Sequence, residues 1–263
     1  MSAVARPLLG RLAPARRLVL LGLLLVVWET IARSGTLSPL IFPSLAAIGR
    51  ELALLVGRLD SLGETWQSLH RALAGFGLAV LVGVPLGIVM GRSSLAASVF
   101  DPLFSGTYPV PKIALFPIFV FVFGIGSLSK VALVFLECLY PIVINTHAGA
   151  RGVKGVLVWS ALNMGASPAR ILARVVVPAT APFIFAGLRV ALPIAMIVVI
   201  ITEMIGSADG LGYLVIFAMA SFKTDRMLAA VVVIALLGLG LDRLLVAVRQ
   251  RLVFSEKLQS YYA

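Results

Sequence analysis

Six apolar segments with few charged residues constrain the fold of this chain more than any other feature. A helix that crosses a bilayer needs roughly 20 consecutive, mostly apolar residues. Only helices and closed barrels satisfy all backbone polar groups in lipid, and the length of these segments favours helices. We predict spans at about 18–32, 72–90, 106–123, 131–148, 182–205 and 227–248. The expected fold class is all-α, a polytopic membrane helical bundle of about six transmembrane helices in a single domain, 1–263.

Composition supports a membrane protein with no separate soluble domain. Of the 263 residues, 60% are hydrophobic and 13% are charged, and the mean hydropathy is +1.08. Soluble domains carry about a quarter charged residues. The one cysteine, Cys138, lies in an apolar run, so no intramolecular disulfide is possible and a packing role is expected.

The basic residues predict the orientation of the chain. The net charge of +11 would suggest nucleic acid as the partner of a soluble protein, but here basic residues flank apolar segments, as in cytoplasmic loops. We therefore expect no nucleic-acid partner. With six spans, both termini are expected in the cytoplasm of a bacterial cell, with the first span retained as an anchor in the inner membrane. The basic groups that support this are Arg6, Arg11, Arg16 and Arg17, then Arg151, Lys154, Arg170 and Arg174, then Arg249, Arg251 and Lys257.

Two connecting segments have readable patterns. Apolar residues recur at helical spacing from Leu45 onward, and Ser44 stands where a helix N-cap is expected. This predicts an amphipathic helix on the outer membrane face or against neighbouring spans. The segment "GIGSLSK", 124–130, lacks the spacing of a phosphate-binding loop and is interpreted as an outer turn between spans three and four.

The second span carries a ribbon of small residues at every fourth position. Such a ribbon allows another helix backbone to approach closely, and close packing holds helices together in lipid. We assign helix packing, and no chemistry, to its members: Gly75, Ala79, Gly83, Gly87 and Gly91.

Four prolines, Pro102, Pro109, Pro111 and Pro117, predict an irregular first half for the third span. Irregular backbone at membrane depth is tolerated only against protein or a watery cavity. The third span is therefore a candidate for lining a translocation path, and a proline-bent packing helix is the alternative.

Ionisable residues inside spans are costly and suggest function. Lys112, Glu137 and Arg189 are the candidate path residues. Lys112 and Arg189 could instead extend to the cytoplasmic interface, and Glu137 could have a structural role. His147 and His70 form no ligand cluster, so no metal or other cofactor is expected. No catalytic constellation lies in the spans, so we do not expect an enzyme.

A polar, turn-containing segment at 151–178, between spans four and five, carries a specific resemblance. Gly165, nine further residues and then "VVVP", ending at Pro178, match the cytoplasmic loop signature of permease subunits of binding-protein-dependent ABC importers. That signature reads E-A-A, three residues, Gly, nine residues, I-x-L-P. Ala161 matches its first triplet, whereas Trp159 and Ser160 replace the usual Glu and Ala.

The resemblance extends along nearly the whole chain, about 18–253. The segments "PVPKIALFPIFVFVFGIGSLSK", "PIVINTHAGARGV", "GLRVAL", "GLGYLV" and "GLGLDRLL" follow in the order of one branch, the permeases of nitrate, aliphatic sulfonate and taurine importers. The resemblance implies a type I ABC importer permease fold. It also implies a second permease copy in a homodimer, two cytoplasmic ABC ATPase subunits that hydrolyse the ATP, and an external solute-binding protein.

In this family the loop is a helix–turn–helix that docks on the ATPase. The residues that would carry this coupling role are Ala161, Met164, Gly165, Ala166, Pro168, Arg170, Arg174 and Pro178. Small residues permit a tight turn, Ser167 can cap the second helix, and Ile171, Leu172 and Val175 can supply an apolar face.

A stand-alone secondary transporter or channel is the alternative function, and its coupling would depend on membrane-embedded charges such as Glu137. The resemblance suggests a small anion such as nitrate, a sulfonate or taurine as the solute. The sequence leaves the solute itself open, because specificity in such importers depends largely on the binding protein.

Overall fold

The computed structural model describes residues 6–252, with side chains from residue 19 onward except at 59–61. These residues form eleven α-helices, and no strand occurs among them. The helices are α1 (Arg6–Arg33), α2 (Leu45–Gly57), α3 (Leu59–Arg92), α4 (Ser94–Thr107), α5 (Phe116–Phe123), α6 (Ser127–Arg151), α7 (Gly155–Asn163), α8 (Pro168–Ile171), α9 (Val177–Gly206), α10 (Leu211–Ala220) and α11 (Thr224–Leu252). A 3₁₀ turn, Lys112–Leu115, precedes α5, and a π-helical segment, Leu172–Val176, joins α8 to α9.

Four stretches of the described chain are long and apolar enough to cross a membrane: Leu62–Arg92, Ser127–Arg151, Pro168–Gly206 and Thr224–Leu252. A bent helix pair brings the number to five if it is one span. The all-α membrane bundle is therefore confirmed. The predicted first span falls within α1, where the apolar side chains from Val19 to Val27 are exposed, as expected of a lipid-facing helix. The basic residues before it, and Lys257, lie outside the described side chains. The predicted span limits and the single domain stay predictions.

The predicted third span, 106–123, corresponds to part of this bent helix pair. The pair consists of Ser94–Thr107 and Lys112–Phe123, which meet at 88°. The break is shorter than the prolines suggested, because Pro102 lies inside regular α4 and Pro117 lies in the first turn of α5. Proline is compatible with a first turn, where its missing N–H has no helical partner. Pro109 and Pro111 occupy the break itself, which is where a helix cannot continue.

The chain divides into two compact units. One comprises the described residues up to Leu62 together with Leu214–Val233, and the other comprises Gly63–Tyr213 and the described residues from Ile234 onward. In the first unit, the Ser44 side chain accepts a hydrogen bond from the Ala47 amide at 3.2 Å, so the predicted cap of α2 is confirmed. The Trp28 indole donates to the Pro43 carbonyl at 3.1 Å and ties α1 to the segment before α2.

The core of the second unit is formed by α3, α6 and α9. The small-residue ribbon of α3 faces α6: a Cβ at Gly75 would lie 2.6 Å from the Val134 Cβ, and one at Gly87 would lie 2.6 Å from the Thr146 Cβ. Gly83 and Gly91 are similarly close to α6, and Ala79 is fully buried. By contrast, a Cβ at Gly77 would meet no atom within 4 Å. The α3–α6 approach therefore depends on one face of α3.

Candidate functional site

The 151–178 segment folds as two short helices, α7 and α8, joined by a tight turn. Gly165 adopts a left-handed backbone with φ of +75°. Its amide donates to the Leu162 carbonyl at 2.9 Å, and the Ala166 amide donates to the Ala161 carbonyl at 3.0 Å. This is the usual way to close a helix C-terminus, and a side chain at Gly165 would strain the backbone.

The second helix begins as the sequence predicts. The Ser167 hydroxyl accepts from the Arg170 amide at 3.4 Å, and Pro168 occupies the first turn, so both predictions are confirmed. Helical backbone then continues through Leu172–Val176 into α9, where Pro178 lies in the first turn. The second helix of the loop is therefore continuous with the long helix α9.

The two faces of this helix–turn–helix differ. Ile171 and Val176 are buried and pack with Ile88, near the end of α3. On the other side, α7 has no buried residue; Trp159 is 72% exposed and Met164 is 86% exposed. Arg170, Arg174 and Leu172 are also exposed. An exposed apolar and basic surface therefore remains on the part of the chain that the structure describes.

A buried polar network lies near the C-terminal end of α9. Its central residue, Glu203, is about 39 Å along the helix from Val177, the first residue of α9. An Arg71 Nη1 proton is donated to Glu203 Oε1 at 2.8 Å, and the side chains are only 3% and 0% exposed. Ser68 donates to Glu203 Oε2 at 2.6 Å, as does the Gly212 amide at 3.1 Å. The buried carboxylate is thus fully hydrogen-bonded, which burial of a charge requires.

The same arginine holds the loop after α9. Arg71 Nη2 donates to Asp209 Oδ1 at 2.7 Å, and the Ser207 hydroxyl donates to that oxygen at 2.9 Å. Burial raises the pKa of Asp209, but the hydrogen bonds from Arg71 and Ser207 and the charges of Arg71 and Lys130 outweigh it and hold the pKa below its ordinary value.

Gly210 fits this loop for two reasons. Its φ is +97°, and a Cβ there would collide with the Glu203 carboxylate. Its amide also donates to Glu64 Oε2. The loop backbone therefore lies directly against the charged network.

Sequence reasoning missed this network. Arg71 directly precedes the predicted span 72–90, and Glu203 is not among the candidate path residues. Arg71 and Glu203 are separated by 132 residues, so no sequence motif indicates that they form an ion pair. The available signal was chemical, because Glu203 is an acidic residue within the last turn of an apolar span and requires a buried partner.

The three candidate path residues are not joined by any hydrogen bond or ion pair in the described structure. The Lys112 ammonium donates to the Tyr108 and Val110 carbonyls, both at 3.3 Å, and lies 3.9 Å from the Tyr140 ring centroid. Arg189 Nε donates to Asp242 Oδ1 at 3.0 Å. Glu137 is half-buried on α6 and has no hydrogen bond or ion pair with a described residue.

Histidine provides no metal centre in the part of the chain that the structure describes, where no group of three or more His, Cys, Asp or Glu side chains is arranged to hold an ion. His147 lies instead beside an acid, with its Nε2 3.7 Å from Asp101 Oδ1.

Comparison with known proteins gives a consistent result. Residues 83–254 match the family described as the inner membrane component of binding-protein-dependent transport systems. A putative ABC transporter permease protein of Methanocaldococcus jannaschii is 37% identical over 226 residues, which cover 84% of each chain.

The names of two further relatives state the solute that each transports. The taurine transport system permease protein of Escherichia coli is 35% identical over 237 residues, covering 88% of this chain and 86% of that protein. The putative aliphatic sulfonates transport permease protein of Bacillus subtilis is 29% identical over 221 residues, covering 84% of this chain and 80% of that protein. Both matches span the buried network and the helix–turn–helix alike.

Proposed function

This chain belongs to the family of inner membrane components of binding-protein-dependent transport systems, and from that premise we propose that its 151–178 segment is the element through which ATP hydrolysis drives transport. The chain is a permease subunit of an ABC importer and crosses the inner membrane several times. The stand-alone transporter or channel that the sequence left open has no observation in its favour.

The observation that carries this proposal is the unpartnered surface of the helix–turn–helix. Trp159 and Met164 are among the most exposed apolar side chains of the described chain, although the loop is otherwise well ordered by hydrogen bonds. Where family members have an acidic residue, this chain has Trp159. We infer that its ATPase contact is centred on an aromatic anchor, with Arg170 and Arg174 meeting acidic or carbonyl groups around it.

Continuity of the helix supports a mechanical role. An ATPase that moves the loop would also move α9, because α8, the π-helical segment and α9 form one uninterrupted helical element. The far end of α9 carries Glu203 and, through Arg71, holds the 207–210 loop. Motion at the ATPase end can therefore reach the opposite membrane face without any large deformation of the helix.

The assembly that we propose has a second permease copy, two cytoplasmic ATPase subunits and an external binding protein. The translocation path runs between the two permeases. Among the candidate path residues, the Glu137 carboxylate has no hydrogen bond or ion pair with a described residue, whereas Lys112 and Arg189 have polar partners. Glu137 is accordingly our preferred path residue.

We propose a small sulfonate or a similar small anion as the solute. The support is the identity to permeases whose names specify taurine and aliphatic sulfonates. The binding protein would select the solute, and this chain would provide the path. We propose that both termini and the 151–178 segment lie in the cytoplasm, and the basic residues that flank the segment support this orientation.

The docking surface can be tested by removing its anchors. Trp159→Ser combined with Met164→Ser should reduce copurification of the ATPase subunit and abolish ATP-dependent uptake, while membrane insertion stays normal. Trp66→Ser is the matched control, because Trp66 is also an exposed tryptophan, 62% exposed, on α3. Full ATPase recovery with the double variant, or an equal loss with Trp66→Ser, would contradict the docking assignment.

A further inference from the structure

Two arginines are brought together where α3 and α6 end. Gly91 is so close to α6 that a Cβ there would lie 2.5 Å from the Ala150 Cβ and 2.9 Å from the Arg151 amide nitrogen. Arg92 and Arg151, the last residues of the two helices, consequently line the same cleft of about 370 Å³. Neither side chain has a hydrogen bond or ion pair with a described residue, so two like charges are adjacent without a counter-charge.

The lining of this cleft favours an anion. Ser93 and Ser94, at the start of α4, and His147 contribute to it, and no carboxylate does. The N-terminal amides of α4 add a favourable partial charge to that of the arginines. Asp101 does not line this cleft; it lines the larger groove described next, and its Oδ1 lies 3.7 Å from His147 Nε2.

A larger groove continues from the cleft along the same helices. It measures about 620 Å³ and shares Met90 and His147 with the cleft. Its further lining is mostly apolar and comes from α4 and α6, including Phe104, Val143 and Ile144. Ile144 is seven residues before Arg151, or about 10 Å along the helix.

The position of the cleft defines the source of the anion. The membrane-crossing segments Leu62–Arg92 and Ser127–Arg151 end at the two arginines, so the cleft lies at the level of lipid headgroups. The groove extends from there toward the hydrocarbon. A charged pocket at the membrane interface that continues into an apolar groove is complementary to an amphiphile, which has a charged headgroup and an apolar chain.

We propose that this combined site binds an anionic phospholipid, with the headgroup phosphate between Arg92 and Arg151 and an acyl chain in the groove between α4 and α6. Basic pockets between transmembrane helices recognise anionic headgroups by this chemistry. The bound lipid would neutralise the arginine pair and fill the groove. This inference concerns the lipid around the permease and does not depend on the ATPase contact.

The test measures lipid binding to the purified, delipidated full-length chain. Phosphatidylglycerol, phosphatidylcholine or inorganic phosphate is added, and the bound fraction is measured by native mass spectrometry. We expect tighter binding of phosphatidylglycerol than of phosphatidylcholine. Arg92→Gln combined with Arg151→Gln should weaken phosphatidylglycerol binding by about thirtyfold, since each of the two basic groups near a lipid surface contributes about 1 kcal/mol. Arg243→Gln combined with Arg251→Gln removes the same charge elsewhere and should leave binding unchanged.

A second variant tests the groove separately, so that a folding defect of the arginine variant would not leave the proposal untested. Ser105 is exposed at the groove, so Ser105→Trp should fold normally and weaken phospholipid binding by obstructing the acyl chain. The proposal is overturned if the arginine variant keeps its lipid preference, or if phosphate displaces phosphatidylglycerol at equal concentration. It is also overturned if these substitutions change the oligomeric state or ATPase recovery but not lipid binding, because a protein partner would then occupy the site.

Discussion

Glu203 and Arg71 illustrate how a membrane protein can retain charges in its interior. Both are buried, and the carboxylate receives hydrogen bonds from Arg71, Ser68 and the Gly212 amide. Removing one member of such a pair leaves the other buried without full compensation, which is far more costly than losing an exposed ion pair.

Glu203→Gln should therefore destabilise the protein by about 3 kcal/mol, because Asp209 is then the one ion-pair partner left to Arg71 among the described residues. In detergent, the midpoint of thermal unfolding should fall by roughly 5–10 °C. Glu51→Gln, on α2, is the control and should leave the midpoint nearly unchanged. Equal midpoints for Glu203→Gln and the unmodified protein would show that the network contributes no stability.

Asp209 gives the network a pH dependence. Its pKa is lowered in the folded protein, so its stabilising effect is complete above its ordinary pKa of 3.8 and is lost as the pH falls through the lower, folded-state pKa. The difference in unfolding midpoint between the unmodified protein and Asp209→Asn should be constant near neutral pH and should narrow below about pH 4. A difference that widened on acidification would have the wrong sign for this assignment.

The helix α3 shows how one face of an element can be specialised. Gly75 lies against Val134 of α6, whereas Gly77, two residues later on the same helix, faces open space. Alanine on the first face must push α6 away, but alanine on the second face only removes the entropic cost of glycine in a helix.

Gly75→Ala should accordingly lower the stability by about 1–3 kcal/mol, and Gly77→Ala should be neutral or slightly stabilising. Thermal unfolding of the two purified variants measures this directly. The close α3–α6 approach would be refuted if both substitutions had the same effect, since they differ only in which face of α3 they occupy.

The predictability of these elements from the sequence depended on whether the determining contacts are local. The caps at Ser44 and Ser167 were predictable because a cap binds an amide three residues away. The 88° break between α4 and α5 was only partly predictable, because each proline affects the helix according to its position in the turn. The Arg71–Glu203–Asp209 network and the Arg92–Arg151 pair depend on contacts between distant segments, which a single sequence does not reveal.

Across the whole molecule, the proposal places the helix–turn–helix and the 207–210 loop at opposite membrane faces. The single cysteine, Cys138, is buried, so introduced cysteines can be labelled selectively. In sealed cells, a membrane-impermeant maleimide should label Ala208→Cys, at an exposed position of the 207–210 loop, but should not label Ser167→Cys until the membrane is opened. Labelling of Ser167→Cys in intact cells would reverse the proposed orientation.

The most direct test of the account is the energy source for uptake in proteoliposomes that contain this permease, its ATPase and its binding protein. Uptake of a small sulfonate such as taurine should require ATP on the ATPase side, stop with vanadate and persist with a protonophore. The Trp159→Ser, Met164→Ser variant should show no ATP-dependent uptake under the same conditions. Uptake that continued with vanadate and was lost only with the protonophore would contradict the claim that this chain is driven by ATP hydrolysis through its 151–178 segment.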